Sequence, residues 1–311
     1  MTNPVVASNL PAPGASSTGG GEVVAPRPTP RLAITPVLAM APFTVYVTLL
    51  LFVPIGAVVL LSLQDDQGNF TTANLALLFH GIYAQGFLNS MRLSAASALI
   101  PAVVGVFLAH AIATSRFETF RRLVASAAGV FANFGGINLA FIFLAAYSYT
   151  GIVVAWLRSA GIDLYAHGYQ IYGFDGIVFV YCYFQIPLMV LIVTPALGAI
   201  RPAWREAVSG LGGSTWRFWR HVGIPVLLPS ILSGTLLLFG SAFAAYATCQ
   251  ALTSGTVELW PIQIGNILDG NILAGQDHIA YAIGTGMLVV LFVTMSLYLL
   301  LQRRARRWLP S

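Results

Sequence analysis

The chain has 311 residues, of which 57% are hydrophobic and 8% are charged, and its formal net charge is +5. A soluble domain carries about 25% charged residues, so this composition excludes a soluble globular protein and predicts membrane spans of about 20 residues each. None of the basic residues is lysine. The chain therefore lacks both the Gly-Lys-Ser/Thr ending of a nucleotide-binding P-loop and a lysine for Schiff-base chemistry.

The cysteines and histidines do not form a recognisable chemical site. Cys182 and Cys249 lie in hydrophobic stretches, where we expect small apolar side chains and no disulfide. No His, Cys and carboxylate cluster has metal-ligand spacing, and no nucleophile stands at a fixed spacing from a base. We therefore expect no metal site and no catalytic residue.

Residues 1–35 are rich in Pro, Gly, Ser, Thr and Ala, a composition typical of disorder. They are predicted to be a cytoplasmic tail and not a signal peptide, because no apolar core follows a basic start. Six hydrophobic spans predict an all-α membrane domain over 36–305, followed by a C-terminal cytoplasmic tail, 306–311. The spans are Val37–Leu63, Phe87–Ala113, Leu123–Tyr147, Gly176–Ile200, Val226–Leu252 and Ile279–Leu301.

The distribution of arginine predicts the orientation of these spans. With a cytoplasmic N-terminus, thirteen arginines lie inside and two, Arg92 and Arg158, lie outside. Basic residues concentrate in cytoplasmic loops, so both termini and the segment 201–225 are predicted to be cytoplasmic. The inner arginines are Arg27, Arg31, Arg116, Arg121, Arg122, Arg201, Arg205, Arg217, Arg220, Arg303, Arg304, Arg306 and Arg307.

Three connections on the outer side are too long to be simple turns. They are Gln64–Gly86, Ser148–Asp175 and Thr253–His278. Loops of this length could receive a docking protein or could cap the helices, and the pattern leaves both open.

The polar segment 201–225 predicts two short helices. Pro202 suits the first turn of a helix, and apolar residues follow at three- and four-residue spacing. Ser214 is a candidate N-cap, and Pro225 is expected to end the second helix. The apolar residues are Trp204, Ala207, Val208 and Leu211, the turn glycines are Gly210, Gly212 and Gly213, and the second helix, Thr215–Val222, carries Trp216, Phe218 and Trp219.

This segment is either an amphipathic anchor at the membrane surface or a knob whose aromatic surface fits a partner's groove. Its spacing resembles the EAA loop of the membrane subunits of bacterial ATP-binding-cassette importers, which favours the knob. The family pattern is Glu-Ala-Ala, three residues, Gly, nine residues, Ile, any residue, Leu-Pro. Glu206, Ala207, Gly212 and Pro225 match it in register, and Val208, Val222 and Ile224 are apolar replacements.

Two further stretches are similar to the same family, and together the resemblance covers about residues 37–305. Asn89-Ser90, followed by Gly105 and Leu108-Ala109, is similar to the opening of the family's second span. The stretch from Tyr183 to Met189, with Pro187, is similar to its fourth-span helix.

The resemblance implies the type I importer permease fold in a bacterial inner membrane, with no nucleic-acid partner. It implies an ATPase dimer, a second permease subunit, usually a different chain, and an extracytoplasmic solute-binding protein. ATP and Mg would bind to the ATPase, and this chain would hold no cofactor. The residues expected to couple to the ATPase are Glu206, Ala207, Gly212, Trp216, Arg217 and Pro225.

Loop lengths and the run Phe239–Gln250 are most similar to the spermidine/putrescine branch, whose members are also assigned to phosphonate, opine or iron uptake. Seven outer carboxylates against two outer arginines would concentrate a cation, although the positive-inside bias leaves the same excess. The carboxylates are Asp65, Asp66, Asp163, Asp175, Glu258, Asp269 and Asp277. Uncharged polar residues in the spans could line a solute path or bond between helices. The candidates are Asn133, Tyr181, Gln185, Tyr246 and Gln250.

The alternative class is an ion-coupled secondary transporter. Such carriers place Asp, Glu or His near the middle of the membrane, whereas every carboxylate here falls in a loop or at the edge of a span. A membrane-embedded enzyme is less favoured still, because the sequence has no nucleophile–base or metal constellation.

Overall fold

The structure is a computed structural model that describes residues 34–270 and 277–306. The predicted tails, 1–35 and 306–311, lie almost entirely outside the described residues. The helices are α1 (Ile34–Ser62), α2 (Ala73–Leu77), α3 (Gly81–Thr114), α4 (Glu118–Asn133), α5 (Ile137–Tyr147), α6 (Ile152–Ser159), α7 (Phe174–Gly198), α8 (Pro202–Gly210), α9 (Thr215–Phe218), α10 (Ile224–Phe243), α11 (Ala247–Thr253), α12 (Trp260–Leu268) and α13 (Asp277–Arg306).

The predicted all-α membrane fold is confirmed over this part of the chain. Six helical stretches are long and apolar enough to cross a membrane. By packing, the described residues up to Val53 form one unit, and the described residues from Pro54 onward form a second unit, which holds every site described below. The stretches are Met40–Ser62, Gly81–Thr114, Ile137–Ser159, Phe174–Gly198, Thr215–Phe243 and Asp277–Arg303.

The third span differs from the predicted continuous helix over 123–147. It is broken at residues 134–136, where Gly136 has φ +81° and separates α4 from α5. The stretch that is apolar enough to cross a membrane is Ile137–Ser159, which continues beyond the predicted end into α6. The prediction was wrong here because hydropathy does not register a backbone break of three residues.

Aromatic contacts show how α4 and α5 pack. Phe131 on α4 and Phe143 on α5 both contact the Tyr183 ring of α7, with ring centroids 5.5 and 5.3 Å apart. Tyr147, at the end of α5, contacts Phe179 at 5.2 Å. The α5 helix therefore runs antiparallel to α7, and the end of α4 packs against the same Tyr183 ring.

The core lies where α3, α7 and α10 meet. A Cβ added to Gly105 of α3 would stand 2.7 Å from the Met189 Cβ of α7, and one added to Gly234 of α10 would stand 3.0 Å from the Met189 sulfur. Met189 is fully buried. Two glycines thus allow both neighbouring helices to approach one flexible side chain closely.

The predicted outer loop Thr253–His278 contains a buried helix. Trp260, Ile262, Gln263 and Ile267 of α12 are each at most 5% exposed. The Trp260 ring lies 4.7 Å from the Phe87 ring of α3. This packing fits the capping alternative given for the loop, and the sequence did not show the helix because the residues that bury α12 are distant in sequence.

Candidate coupling loop and solute path

The loop between α7 and α10 begins with α8. Arg201 has an extended conformation (φ −73°, ψ 134°), and Pro202 occupies the first turn of the helix, as predicted. Trp204 and Val208 are half-buried, whereas Ala207 and Leu211 are exposed, Leu211 by 87%. The predicted apolar stripe therefore splits between packed residues and surface residues.

The turn after α8 is built from backbone hydrogen bonds. The Gly213 N–H donates to the Val208 carbonyl (2.8 Å), and the Gly212 N–H donates to the Ser209 carbonyl (3.0 Å). Gly212 has φ +72°. These two bonds and the left-handed residue form a Schellman motif, which satisfies the last carbonyls of a helix. A Cβ at Gly213 would stand 2.5 Å from the Val208 side chain, so both glycines are required by geometry.

The second helix begins as predicted but does not end at Pro225. The Ser214 hydroxyl accepts a hydrogen bond from the Arg217 N–H (3.3 Å) and caps α9. A π-helical turn, Trp219–Gly223, then joins α9 to α10, and the Ile224 N–H donates to the Trp219 carbonyl five residues earlier. The wider turn lets the helix continue through Pro225, which has no N–H to donate.

The six residues expected to couple to an ATPase are all exposed: Glu206, Ala207, Gly212, Trp216, Arg217 and Pro225. Of the three aromatics expected on the surface, only one is exposed. Trp216 is 71% exposed and Phe218 is 1% exposed, while Trp219 is half-buried and contacts the His110 ring at 4.9 Å. A groove of about 560 Å³ opens beside them, lined by Trp204, Ala207, Val208, His221, Val222, Pro225 and Val226.

The charged side chains of α8 differ in what they contact. The Arg205 guanidinium lies 5.4 Å from the centroid of the buried Phe218 ring, which ties α8 to α9. None of the ion pairs found among residues 34–270 and 277–306 involves Glu206. Its carboxylate is therefore exposed and available to an external partner.

The five candidate path residues lie in different environments. Tyr181 and Gln185 are fully buried in α7. The Tyr181 hydroxyl lies 2.9 Å from the Cys249 sulfur, and neither polar atom of the Gln185 amide has a hydrogen-bond partner in the described structure. Asn133 is exposed and donates to the Gly129 carbonyl (2.8 Å). Their role on a solute path stays a prediction.

The other two candidates, Tyr246 and Gln250, lie near the outer end of α10. Tyr246 is 37% exposed. Gln250 is half-buried on α11, and its amide oxygen has no hydrogen-bond partner within the described chain. The Tyr181 hydroxyl also lies 3.5 Å from the carbonyl of Ala245, the residue before Tyr246. The buried candidates on α7 and the candidates after α10 are therefore close to each other at this point.

Sequence reasoning missed what the Asn89-Ser90 pair contacts. The Asn89 amide donates to the Glu258 carbonyl (3.1 Å), and the Ser90 hydroxyl accepts from the Trp260 N–H (2.9 Å). Residues 258–260 lead into α12. The pair therefore fastens the N-terminal part of α3 to a segment about 170 residues away, and only the family resemblance had drawn attention to Asn89 and Ser90.

Two further bonds complete this attachment. The Trp260 indole N–H donates to the Tyr83 carbonyl (2.9 Å), and the Gln263 amide donates to the Ile82 carbonyl (2.9 Å) and to the Glu258 carboxylate (3.1 Å). Gly86 provides the space, because a Cβ there would stand 2.5 Å from the Gln263 amide oxygen. We call these bonds, from Tyr83, Ile82, Asn89 and Ser90 to residues 258–263, the α3–α12 clamp.

The loop after α5 is also ordered by polar contacts. The Arg158 guanidinium lies 3.2 Å from the Asp163 carboxylate and 4.2 Å from the centroid of the Tyr149 ring. Partial burial raises the pKa of Asp163, but hydrogen bonds from the Ala166 N–H and from Arg158 outweigh it, so the net pKa is lowered. Between α1 and α2, backbone N–H donors from Asn69 and Gln67 lower the pKa of Asp65.

Comparison with known proteins identifies the family. Residues 168–307, which extend from the loop before α7 through α13, match the model of the family described as binding-protein-dependent transport system inner membrane component. This part of the chain therefore carries the domain of this permease family. Such permeases are membrane components of ATP-binding-cassette importers, in which ATP hydrolysis takes place on a separate subunit.

Several curated proteins are similar to this permease over much of its length. A probable sulfate transport system permease of Nephroselmis olivacea is 27% identical over 260 residues, covering 82% of this chain and 84% of that protein. A spermidine/putrescine permease homologue of Mycoplasma pneumoniae is 25% identical over 299 residues, covering 86% and 95%. The thiamine permease of Escherichia coli is 28% identical over 167 residues, which is 52% of this chain and 30% of that longer protein.

A solved structure confirms the fold. A chain of a bacterial transporter that imports the polysaccharide alginate superposes with a TM-score of 0.68 at 20% identity, covering 87% of this chain and 95% of that one. The same transporter in complex with an alginate pentasaccharide-bound periplasmic protein gives a TM-score of 0.67. The permease is therefore a multi-pass inner-membrane protein with the importer fold.

Proposed function

We propose that this permease forms the path for a small cationic solute, a polyamine such as spermidine or putrescine, in an ATP-driven importer. The observation that carries the importer mechanism is the loop 201–225, in which a Schellman turn and a capped helix present Glu206, Trp216 and Arg217 to solvent. An exposed apolar ring between exposed charges is the kind of surface that a partner's groove accepts.

The proposed assembly contains an ATPase dimer, a second permease subunit of different sequence and an extracytoplasmic solute-binding protein. A periplasmic protein is bound to the alginate transporter that shares this fold, which supports an external partner for this chain. ATP and Mg would bind to the ATPase subunits. We place the permease domain at 36–305, with both termini and the coupling loop 201–225 in the cytoplasm, on the strength of the arginine distribution.

Polyamine as the solute is supported by two observations. One relative that aligns over 86% of this chain is named for spermidine and putrescine, while others are named for sulfate and thiamine. On the outer side, Arg158 is paired with Asp163. The carboxylate of Asp269 is exposed, so the outer surface near α12 favours a cation.

Uptake into proteoliposomes tests the function. The importer, purified through a tag on this chain with the subunits that accompany it, should accumulate labelled spermidine when ATP and the loaded binding protein are both supplied. Accumulation without ATP, driven by a proton or sodium gradient, would contradict the importer mechanism. Accumulation of sulfate or thiamine in place of spermidine would contradict the polyamine assignment and leave the mechanism intact.

Cysteine labelling tests the orientation. In a variant that lacks Cys182 and Cys249, a cysteine at Ser214 should react only with reagents that cross the membrane. A cysteine at Asp163 should react in intact cells with reagents that cannot cross. Labelling in the opposite sense would reverse the proposed topology and remove the coupling loop from the ATPase side.

A further inference from the structure

A groove of about 390 Å³ lies beside α12 near the outer end of α10. We call it the outer groove. Its polar side chains are Tyr246 and Asp269, and its remaining lining is apolar: Ala244, Pro261, Ile264, Gly265, Leu268 and Met287. Among the residues that the structure describes, no arginine or histidine lines it. The groove is therefore an apolar surface with one carboxylate and one phenol.

The wall of this groove is fixed in position by the α3–α12 clamp. Trp260 and Gln263, on the opposite side of α12, are 5% and 2% exposed and bond to the backbone of α3. Gly286 of α13 leaves room for the indole, because a Cβ there would stand 2.8 Å from the Trp260 ring. One face of α12 is thus held within the subunit while the other faces the groove.

The hydroxyl end of the Tyr246 ring packs so closely against α12 that only glycine fits at position 265. A Cβ at Gly265 would stand 2.8 Å from the Tyr246 ring and hydroxyl. The ring is held against the helix backbone on one side, yet 37% of the residue stays exposed. A positioned and partly exposed aromatic ring is suited to a cation, which is attracted to the negative face of such a ring.

Asp269 adds negative charge at the same place. It follows Leu268 at the C-terminal end of α12, where the Asp269 N–H donates to the Gly265 carbonyl (2.9 Å). The carboxyl end of a helix carries a partial negative charge from its last carbonyls. The carboxylate and the helix end therefore act in the same direction, and the described residues that line the groove include no basic side chain.

We propose that the outer groove contacts the ammonium group of the transported solute, with Asp269 providing the charge and Tyr246 the aromatic face. This inference rests on the proposed function as an importer permease and narrows its solute class to cations. The clamp residues Asn89 and Ser90 hold α12 in place and do not touch the solute. Lipid is the other chemistry that an apolar groove could accept, and the experiment separates the two.

The test uses the reconstituted importer and compares labelled spermidine, thiamine and sulfate. Uptake and ATP hydrolysis are both measured at saturating loaded binding protein, so that solute contact is separated from docking. Asp269→Asn should lower spermidine uptake about two- to fivefold, the range expected for a partly exposed charge pair, with ATP hydrolysis unchanged. Tyr246→Leu should lower uptake similarly, whereas Tyr246→Phe, which keeps the ring, should not.

Asp277→Asn is the matched control, because Asp277 is also an exposed outer carboxylate but does not line the groove. Spermidine uptake that is normal in both Asp269→Asn and Tyr246→Leu would overturn this inference and leave the proposed function standing, with lipid as the occupant. Thiamine uptake that depends on Asp269, with no spermidine uptake, would support the groove and overturn the polyamine assignment. Uptake of sulfate but of neither cation would overturn both.

Discussion

The two connections that flank α10 are built in opposite ways. On the proposed inner side, the loop 201–225 is held by bonds within about five residues, such as Gly213 to Val208 and Arg217 to Ser214. On the outer side, residues 258–263 are held by the α3–α12 clamp, whose bonds join residues separated by 169 to 181 positions. We call the loop 201–225 the inner unit, and residues 258–263 with their α3 partners the outer unit. The inner unit is a locally folded surface element, and the outer unit is part of the subunit's core.

This difference indicates which end is free to move with a partner. The inner unit can move as a body, because its turn and cap do not depend on distant residues and its key side chains are exposed. The outer helix cannot move without breaking buried hydrogen bonds, each of which costs about 1–3 kcal/mol when a buried group is left unpaired. A motion driven from inside should therefore reach the solute path through α10 and the core helices while α12 stays attached to α3.

The sharpest way to break the inner unit is Gly212→Val. A β-branched residue is strained at φ +72°, by about 1–3 kcal/mol, and the Schellman turn sets the angle between α8 and α9. We expect uptake to be abolished while the chain still inserts into the membrane and the binding protein keeps its solute affinity. Uptake, membrane content and ATPase co-purification are measured together.

Gly210→Ala is the matched control for that variant. Gly210 is the last residue of α8, it has no positive φ, and open space surrounds the position of its Cβ. Its uptake should equal that of the wild type. If Gly212→Val transported normally with the ATPase fully bound, the loop would be an interfacial anchor and not a coupling element.

The outer unit is tested by Ser90→Ala. The change removes the acceptor for the Trp260 N–H, which then has no partner in a site where Ser90 is 3% exposed. We expect the detergent-purified protein to lose about 1–3 kcal/mol of stability and to melt at a lower temperature. Insertion and ATPase co-purification should be unaffected, because α8 and α9 do not depend on the clamp.

Ser94→Ala controls for the loss of a buried hydroxyl on the same helix. Ser94 is fully buried, but it only donates to the carbonyl of Ser90 within α3 (2.7 Å). Its removal leaves no distant group unpaired and should change the melting temperature much less. Equal effects in the two variants would mean that the bond to Trp260 has no special weight.

The same contrast explains what the sequence could predict. The turn and the helix starts of the inner unit could be predicted, because Pro202, Gly212 and Ser214 act on residues a few positions away. Their effect is therefore visible as a fixed spacing in the sequence. Hydropathy also predicted the long helices α1, α3, α7 and α13, whereas the predicted fifth span divides into α10 and α11. The orientation drawn from arginine placement stays a prediction. Pro225 was misjudged, since a π-helical turn absorbs it and hydropathy or turn chemistry gives no sign of such a turn.

The outer unit could not be predicted in the same way. Nothing local to Trp260 or Gln263 shows that their partners are carbonyls of Tyr83 and Ile82. The segment contains Ser254, Gly255 and Glu258, which are typical of a loop, and its burial depends on glycines in other helices. Hydrogen bonds between residues far apart in the chain produce no recognisable spacing in a single sequence. The α3–α12 clamp could therefore be identified only from the structure.

A smaller effect sharpens the assignment of the inner surface. Glu206 is exposed on α8, and an exposed charge contributes about 0.2–1 kcal/mol to an ion pair. Glu206→Ala should therefore weaken ATPase co-purification by roughly two- to fivefold and lower uptake in proportion. Glu118→Ala, which removes another exposed inner carboxylate outside the loop, serves as the control. Equal ATPase binding in both variants would remove Glu206 from the interface.

The smallest effect concerns the outer loop after α5, which belongs to neither unit. The pKa of Asp163 is lowered on balance, because hydrogen bonds from the Ala166 N–H and from Arg158 outweigh the effect of partial burial. A carboxyl group with a depressed folded pKa stabilises the fold above its unfolded pKa, about 3.9, and this contribution is lost as pH falls through the folded value. Hydrogen-exchange protection of the Tyr165 and Ala166 N–H groups, corrected for intrinsic rates, should therefore stay constant from pH 7 to about pH 5 and decrease only below the ordinary range of Asp. Asp163→Asn should show weaker protection with no such decrease. A wild-type decrease between pH 7 and pH 5 would mean that a group other than this carboxylate orders the loop.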